Sequence, residues 1–157
     1  MKIIFTKTSK EEHVFSCIRK DGSSTWKHVD AFFILHDLGH YAVETILQLK
    51  NAFLGMVAAG TNINDFDLPK EQRDFVLTNE TIFAEHLVNL VVIDYTQGKM
   101  DNLPEIFAAV YDDKNESGLL HYVTEEKLEK IRMTYSELMA QWKLIPVSAS
   151  LNLLFEE

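Results

Sequence analysis

Hydrophobic residues in the first thirty positions fall into short runs that are separated by polar stretches. Residues 2–8 and 13–19 are rich in β-branched and aromatic side chains with a polar stretch between them, so they predict a β-hairpin. Asp21 and Gly22 then favour a tight turn into a third short strand at residues 25–28. The pattern therefore predicts that the chain opens with a small antiparallel meander.

From Asp30 onward the hydrophobic positions recur every three or four residues, which is the period of an amphipathic helix. Asp30 is placed to cap this helix and Gly60 to end it, so we expect one long helix over residues 30–59. A second long helix is predicted from Pro69, which suits a first helical turn, to Gly98. The apolar stripe expected along this second helix consists of Phe75, Ile82, Phe83, His86, Leu90 and Ile93.

Two further segments carry signals for a helix start. Asn102 stands before a Leu-Pro-Glu sequence and predicts a short helix that continues to about Asp112. Thr124 is placed to cap a fourth helix, which should run through about Lys143 and stop before Pro146. The predicted helices therefore number about four, all after the N-terminal strands.

The tail, residues 147–155, alternates hydrophobic and mainly polar side chains, which predicts a strand. This strand can join the N-terminal sheet or pair with another subunit, so a homodimer is one expectation. The composition, with 46% hydrophobic and 25% charged residues, is typical of a globular domain with one core. Residues 1–157 are therefore expected to form a single α+β domain: an N-terminal antiparallel meander, a bundle of about four helices and a C-terminal strand.

The charge of the chain bears on its partners. A formal net charge of -9 would repel a phosphate backbone, so nucleic acid is not expected to bind. Lys and Arg residues are scattered singly, as at Lys70 and Arg73, which is typical of solvated helix surface. Neither a bilayer-spanning segment nor a secretion signal is visible, and the single Cys17 is expected to be a reduced, buried thiol. We therefore expect a cytoplasmic protein that is not bound to a membrane.

His36 and His40 are the strongest chemical signal in the chain. On a helix, an advance of about 100° per residue places two side chains four residues apart at about 40° to each other, one turn above the other. Both imidazoles can then bind one metal ion at about 2.0 Å without distorting the backbone. Glu44 lies one further turn along the same stripe and is a candidate third ligand.

Two more candidate ligands, Glu85 and His86, lie in the predicted second helix. His86 belongs to the expected apolar stripe and should point toward neighbouring elements. If the two long helices pack antiparallel, the middle of the second faces the first third of the other. We therefore expect a divalent metal, with zinc as the expected ion, bound by His36, His40 and one residue from Glu44, Glu85 or His86. The alternative is that the histidines are hydrogen-bonded structural residues.

The string HDLGH at residues 36–40 resembles the His-Glu-x-x-His helix of zincin metallopeptidases, with aspartate at the glutamate position. The resemblance implies that His36 and His40 are ligands and that Asp37 is catalytic, holding or activating a water molecule on the metal. Because aspartate is one methylene shorter, Asp37 can instead bind the metal or orient a ligating histidine. The string is also similar to that of a family involved in ubiquinone assembly, but Ala52 stands where that family has a later glutamate.

Three functions are compatible with these observations. The first is a small metal-dependent hydrolase, with Asp37 assisting, that acts on a small molecule or a peptide. The second is a non-catalytic protein whose helices contact a partner and whose histidines are structural. The third is a small-molecule-binding protein with a pocket between the meander and the first long helix. The aromatic residues expected to line that pocket are Phe32, Phe33, Phe53 and Phe83.

Overall fold

The computed structural model describes residues 1–9, 11–111 and 118–156. Its strands are β1 (Lys2–Lys7), β2 (Glu12–Ile18), β3 (Ser24–Asp30) and β4 (Ser150–Leu154). Its helices are α1 (Ala31–Leu47), α2 (Phe53–Ala58), α3 (Asn79–Gln97), α4 (Leu103–Val110) and α5 (Glu125–Leu144). Short 3-10 turns occupy Ile63–Asp67, Lys70–Gln72 and Leu119–Tyr122. The fold is α+β, as the sequence predicts.

The four strands form one antiparallel sheet in the spatial order β3-β2-β1-β4. Phe5 of β1 lies opposite Phe15 of β2, and their buried rings stack with centroids 4.9 Å apart. On the other side of β1, Phe5 pairs with Leu151 of β4. The predicted hairpin is therefore confirmed, and the C-terminal strand joins the N-terminal sheet of its own chain.

The first long helix begins as predicted but ends earlier. The carboxylate of Asp30 accepts hydrogen bonds from two backbone N–H groups in the first turn of α1. The helix ends at Leu47 because Gln48 adopts a left-handed conformation with φ of 58°, and the N–H of buried Leu49 bonds back to the carbonyl of Glu44. The single helix predicted for residues 30–59 is therefore wrong. The hydrophobic period continues across the break, which hid it from sequence analysis.

The second long helix begins ten residues later than predicted. The segment after Pro69 forms a 3-10 turn, and α3 starts only after Thr78, whose hydroxyl accepts a hydrogen bond from the N–H of Thr81. Gly98 ends the helix, as expected. The predicted stripe is also displaced, since Ile82 and Ile93 are exposed. The hydrophobic residues that α3 buries are Phe83, Ala84, Leu87, Val88 and Val91.

Helix α1 packs against both α3 and α5, and its midpoint approaches α3 closely. A Cβ atom on Gly39 would lie 2.9 Å from Cγ1 of Val88, which is closer than ordinary carbon contacts allow. On the other side, the buried Tyr135 of α5 donates its hydroxyl hydrogen to the carbonyl of Leu35. The missing side chain at Gly39 therefore sets the distance at which α1 and α3 face each other.

The remaining helices follow the sequence signals. Helix α4 starts directly after Asn102, and the expected end at Asp112 lies outside the described residues. The hydroxyl of Thr124 caps α5 by accepting from the N–H of Lys127. Within the described ranges, no helix combines the length and the apolar character needed to cross a bilayer.

Candidate metal centre

His36 and His40 of α1 and Glu85 of α3 converge where the two helices meet. One ligand atom of each residue lies within 4.8 Å of the other two. Nε2 of His36 is 3.1 Å from one carboxylate oxygen of Glu85, and Nε2 of His40 is 3.2 Å from the other. Both imidazoles therefore direct the same ring nitrogen at one carboxylate. Two imidazole nitrogens and a carboxylate oxygen form a set that could hold a divalent metal ion.

The second ring nitrogen of His40 is held by Glu44. Nδ1 of His40 lies 2.9 Å from a carboxylate oxygen of Glu44, and both side chains are buried. Burial raises the pKa of Glu44, whereas His40 and the backbone N–H of Leu54 stabilise its ionised form. In that form the carboxylate can only accept, so Nδ1 carries the hydrogen and donates it. This leaves Nε2 as the nitrogen that can bind a metal, in the arrangement that commonly orients histidine ligands.

Glu44 also explains the local fold after α1. Its other carboxylate oxygen accepts a hydrogen bond of 2.9 Å from the backbone N–H of Leu54, in the first turn of α2. Ala52, which precedes α2, provides no side-chain cap, so the carboxylate stabilises this helix start instead. Glu44 thus lies behind His40, and it is not part of the group that converges on Glu85.

Asp37 has a similar but looser relation to His36. One of its carboxylate oxygens is 3.9 Å from Nδ1 of His36, and its side chain is buried. The carboxylate therefore lies beside the nitrogen that does not face Glu85. The ring of Phe32 stacks on the same imidazole, with ring centroids 6.5 Å apart. His36 is consequently held by a weaker set of contacts than His40.

The charges of the group reinforce one another. Burial by itself lowers the pKa of His40, but the hydrogen bonds and charges of Glu44 and Glu85 outweigh it and raise the pKa to about 10. Burial would raise the pKa of Glu85, yet hydrogen bonds and charges from His36 and His40 hold it well below its ordinary value. Without a metal, His40 therefore carries both ring hydrogens and a positive charge. A metal must displace the hydrogen on Nε2.

Comparison of the chain with protein-family models, curated proteins and solved structures gives no significant match. The resemblance of residues 36–40 to zincin metallopeptidases and to the family involved in ubiquinone assembly accordingly remains a likeness over five positions. Function must therefore be inferred from the chemistry of the site.

His86, the other candidate on α3, does not join the group that the structure brings together. It is exposed, and its ring contacts Tyr111 with centroids 6.1 Å apart. Neighbouring residues on a helix point about 100° apart, so only one of Glu85 and His86 can face α1. The packing of Val88 of α3 against Gly39 of α1 directs Glu85 toward the histidines.

A cavity of about 380 Å³ opens beside the converging residues, and His36, His40 and Glu85 all line it. Of the four phenylalanines expected around a pocket, Phe33 and Phe53 contribute to the wall. Phe32 is mostly exposed and Phe83 is buried against other aromatic rings. The cavity is therefore partly aromatic, and it contains the ligand cluster in its wall.

Phe66, Lys27 and Arg73 are among the residues of the cavity wall that sequence analysis missed. The ring of Phe66 packs edge-on against Phe53 with centroids 4.8 Å apart. Arg73 was expected on a solvated helix surface, but it lies in the irregular chain between α2 and α3 and is half-buried. No local pattern marks these positions, because tertiary structure brings them to the site: Phe66 and Arg73 from the loop before α3, and Lys27 from β3.

Proposed function

We propose that the protein binds one divalent metal ion through Nε2 of His36, Nε2 of His40 and a carboxylate oxygen of Glu85. The observation that carries this proposal is the convergence of three ligand atoms within 4.8 Å on two packed helices. Two histidines and one glutamate form a ligand set of known catalytic zinc sites, so zinc is the metal we expect. The same set also suits non-haem iron, and the metal is therefore identified by the experiment below.

We further propose that the metal site serves a hydrolase acting on a small molecule or a peptide. Structural zinc sites are closed by four protein ligands, whereas catalytic ones have three and keep one position open. Here the three residues line a cavity of about 380 Å³ that can receive a substrate. When bound, a divalent ion supplies Lewis-acid chemistry that polarises a carbonyl group and lowers the pKa of water.

Two carboxylates have positioning roles in this proposal. Glu44 fixes the tautomer of His40 through the hydrogen bond to Nδ1 and supports its orientation from within the core. Asp37 lies beside Nδ1 of His36, 3.9 Å away, which supports an orienting role more than the catalytic role implied by the zincin resemblance. Both carboxylates increase the negative charge near the metal, which favours a cation.

Elemental analysis of protein purified without a metal-affinity tag tests the metal site. We expect about one equivalent of zinc, or of another divalent metal, per wild-type chain. The His36→Ala/His40→Ala variant should contain none while retaining its circular dichroism spectrum. The matched control is His86→Ala, because His86 also lines the cavity but lies outside the ligand group. Wild-type protein that stays metal-free after dialysis against divalent ions would contradict the proposal.

One observation favours a second candidate, a non-catalytic protein with structural histidines. The carboxylate of Glu85 accepts from both imidazoles, so the group is complete as a hydrogen-bonded cluster without a metal. In that case the same analysis finds no metal, and replacing His40 only destabilises the fold. The metal content of the wild-type protein therefore separates the two functions.

A further inference from the structure

Arg73 lies in the wall of the cavity that contains the candidate metal centre. Its Nε donates to the carbonyl of Leu68 at 2.8 Å, and its Nη2 donates to the carbonyl of Phe66 at 2.9 Å. These bonds use two of the five N–H groups of a guanidinium. The loop backbone therefore fixes the plane of the guanidinium, and among the described residues Nη1 and one hydrogen of Nη2 have no acceptor, so they can bind a ligand.

The charge of Arg73 lacks a carboxylate partner within the part of the chain that the structure describes. The lysine of the cavity wall, Lys27, differs because its ammonium is 2.7 Å from Asp67 and lies over the ring of Phe33. A half-buried guanidinium without a counter-ion is costly, and it favours binding of an anion. In a chain with a net charge of -9, such an unpaired cation is a distinctive feature of this cavity.

Most of the remaining wall is apolar. Phe33, Phe53 and Phe66 contribute aromatic rings, and Leu77 and Ile82 contribute aliphatic side chains. A volume of about 380 Å³ lies near the lower end of the range for small-molecule pockets, about 300–1,000 Å³. The cavity thus combines one anion-binding group, an apolar wall and the ligand cluster.

From this combination we infer that the cavity binds a small carboxylate with an apolar or aromatic body, and that Arg73 holds the carboxylate. A planar guanidinium matches a carboxylate through two parallel hydrogen bonds. The apolar body then lies against the phenylalanines, and the other end of the molecule reaches His36, His40 and Glu85. The inference rests on the proposed function only for the reaction at that second end, because recognition of the carboxylate needs no metal.

Matched pairs of an acid and its neutral amide test this inference by isothermal titration calorimetry. The probes are phenylpropionate with phenylpropionamide and phenylbutyrate with phenylbutyramide, added to chelator-treated and to zinc-loaded protein. For at least one pair, we expect wild-type protein in both states to bind the acid about tenfold more tightly than the amide. Arg73→Gln should lose this preference, while Lys70→Gln, an exposed cation in the same loop, should keep it.

A purely structural role of Arg73 would weaken the binding of acid and amide alike, so the ratio of their affinities separates the two roles. Arg73→Lys keeps the charge without the planar fork, and it should retain part of the preference. Equal affinity for acid and amide, or no binding of either acid, would overturn the inference. Metal content is measured on the same samples: metal without the preference contradicts only this inference, whereas the preference without metal contradicts only the proposed hydrolase.

Discussion

Helix α3 carries two carboxylates that meet cationic side chains of neighbouring helices, and the two sites are built differently. Asp94 accepts 3.0 Å hydrogen bonds from Nε and Nη2 of Arg132 on α5, and a third bond from the backbone N–H of Met100. Its side chain is 6% exposed, whereas that of Glu85 is 49% exposed beside the cavity. The Asp94 site is therefore closed to solvent by its own hydrogen-bond partners, whereas the Glu85 site is accessible from the cavity.

The cationic partners of Asp94 and Glu85 also differ in whether they can lose a proton. Arg132 keeps its proton at every pH at which the protein is folded, and Asp94 raises the pKa of this guanidinium further. The imidazoles around Glu85 can lose a proton and then bind a metal with the vacated nitrogen. Burial and charge alone therefore do not identify a functional site. Access combined with exchangeable protons distinguishes the Glu85 site from a structural ion pair.

The largest effect on stability should come from breaking the closed pair, which is the ion pair between Asp94 and Arg132. Asp94→Ala removes the buried carboxylate that accepts two hydrogen bonds from the half-buried guanidinium of Arg132 and leaves the more distant Glu129, at 3.6 Å, as its carboxylate neighbour, so we expect the free energy of unfolding to fall by about 3 kcal/mol. Glu85→Ala in metal-free protein should cost less, because the histidines can become neutral whereas Arg132 cannot. Urea denaturation of both variants, after treatment with a chelator, measures the two losses. A larger loss for Glu85→Ala would contradict the distinction between the sites.

Much of the fold could be predicted from the sequence because its signals are local. Asp30 and Thr124 are caps whose hydrogen bonds close within a few residues of the chain. The predicted helix boundaries were wrong where tertiary contacts determine them. The break after Leu47 depends on Leu49 packing into the core, and the first helix shows no change of hydrophobic period there. Pro69 begins only a 3-10 turn, since the loop around it lines the cavity.

The candidate site likewise has one part that local sequence signals predict and another that depends on tertiary contacts. Helical spacing alone places His36 beside His40, because both lie on one short stretch of α1. The choice between Glu85 and His86 depends on how α3 rotates against α1, and that rotation is set by contacts such as Gly39 with Val88. Single-sequence periodicity cannot supply this angle when both faces of a helix carry hydrophobic residues.

A smaller effect is expected from Glu44→Gln, which changes the support of a ligand and leaves the ligands themselves in place. Glutamine can still accept from Nδ1 of His40, but it lacks the charge that increases the basicity of the ring. We expect metal affinity to fall about 10- to 100-fold, as for other supports of histidine ligands. Competition with a chromophoric chelator measures the affinity. Asp94→Asn provides the comparison at the closed pair, and it should leave the affinity unchanged.

The smallest effect, counted per pH unit, should come from a change of pH. As pH rises, the stability of the metal-free protein should fall, whereas the affinity for the metal should rise. The folded pKa of His40, about 10, lies above its ordinary value of 6.5, so its stabilising contribution is complete below pH 6.5 and is lost as pH rises through about 10. Metal binding displaces that proton, so affinity should rise about tenfold per pH unit over the same range.

The Asp94–Arg132 pair provides the control for this pH dependence, because the guanidinium of Arg132 keeps its charge between pH 6.5 and 10. Unfolding free energies of chelator-treated protein should therefore fall across this interval by the same amount in wild type and Asp94→Asn. In His40→Ala the fall should be smaller, because the group responsible for it is missing. Metal affinities that do not change with pH would show that Nε2 of His40 carries no proton in the metal-free state, and this nitrogen would then be able to bind a metal without losing a proton.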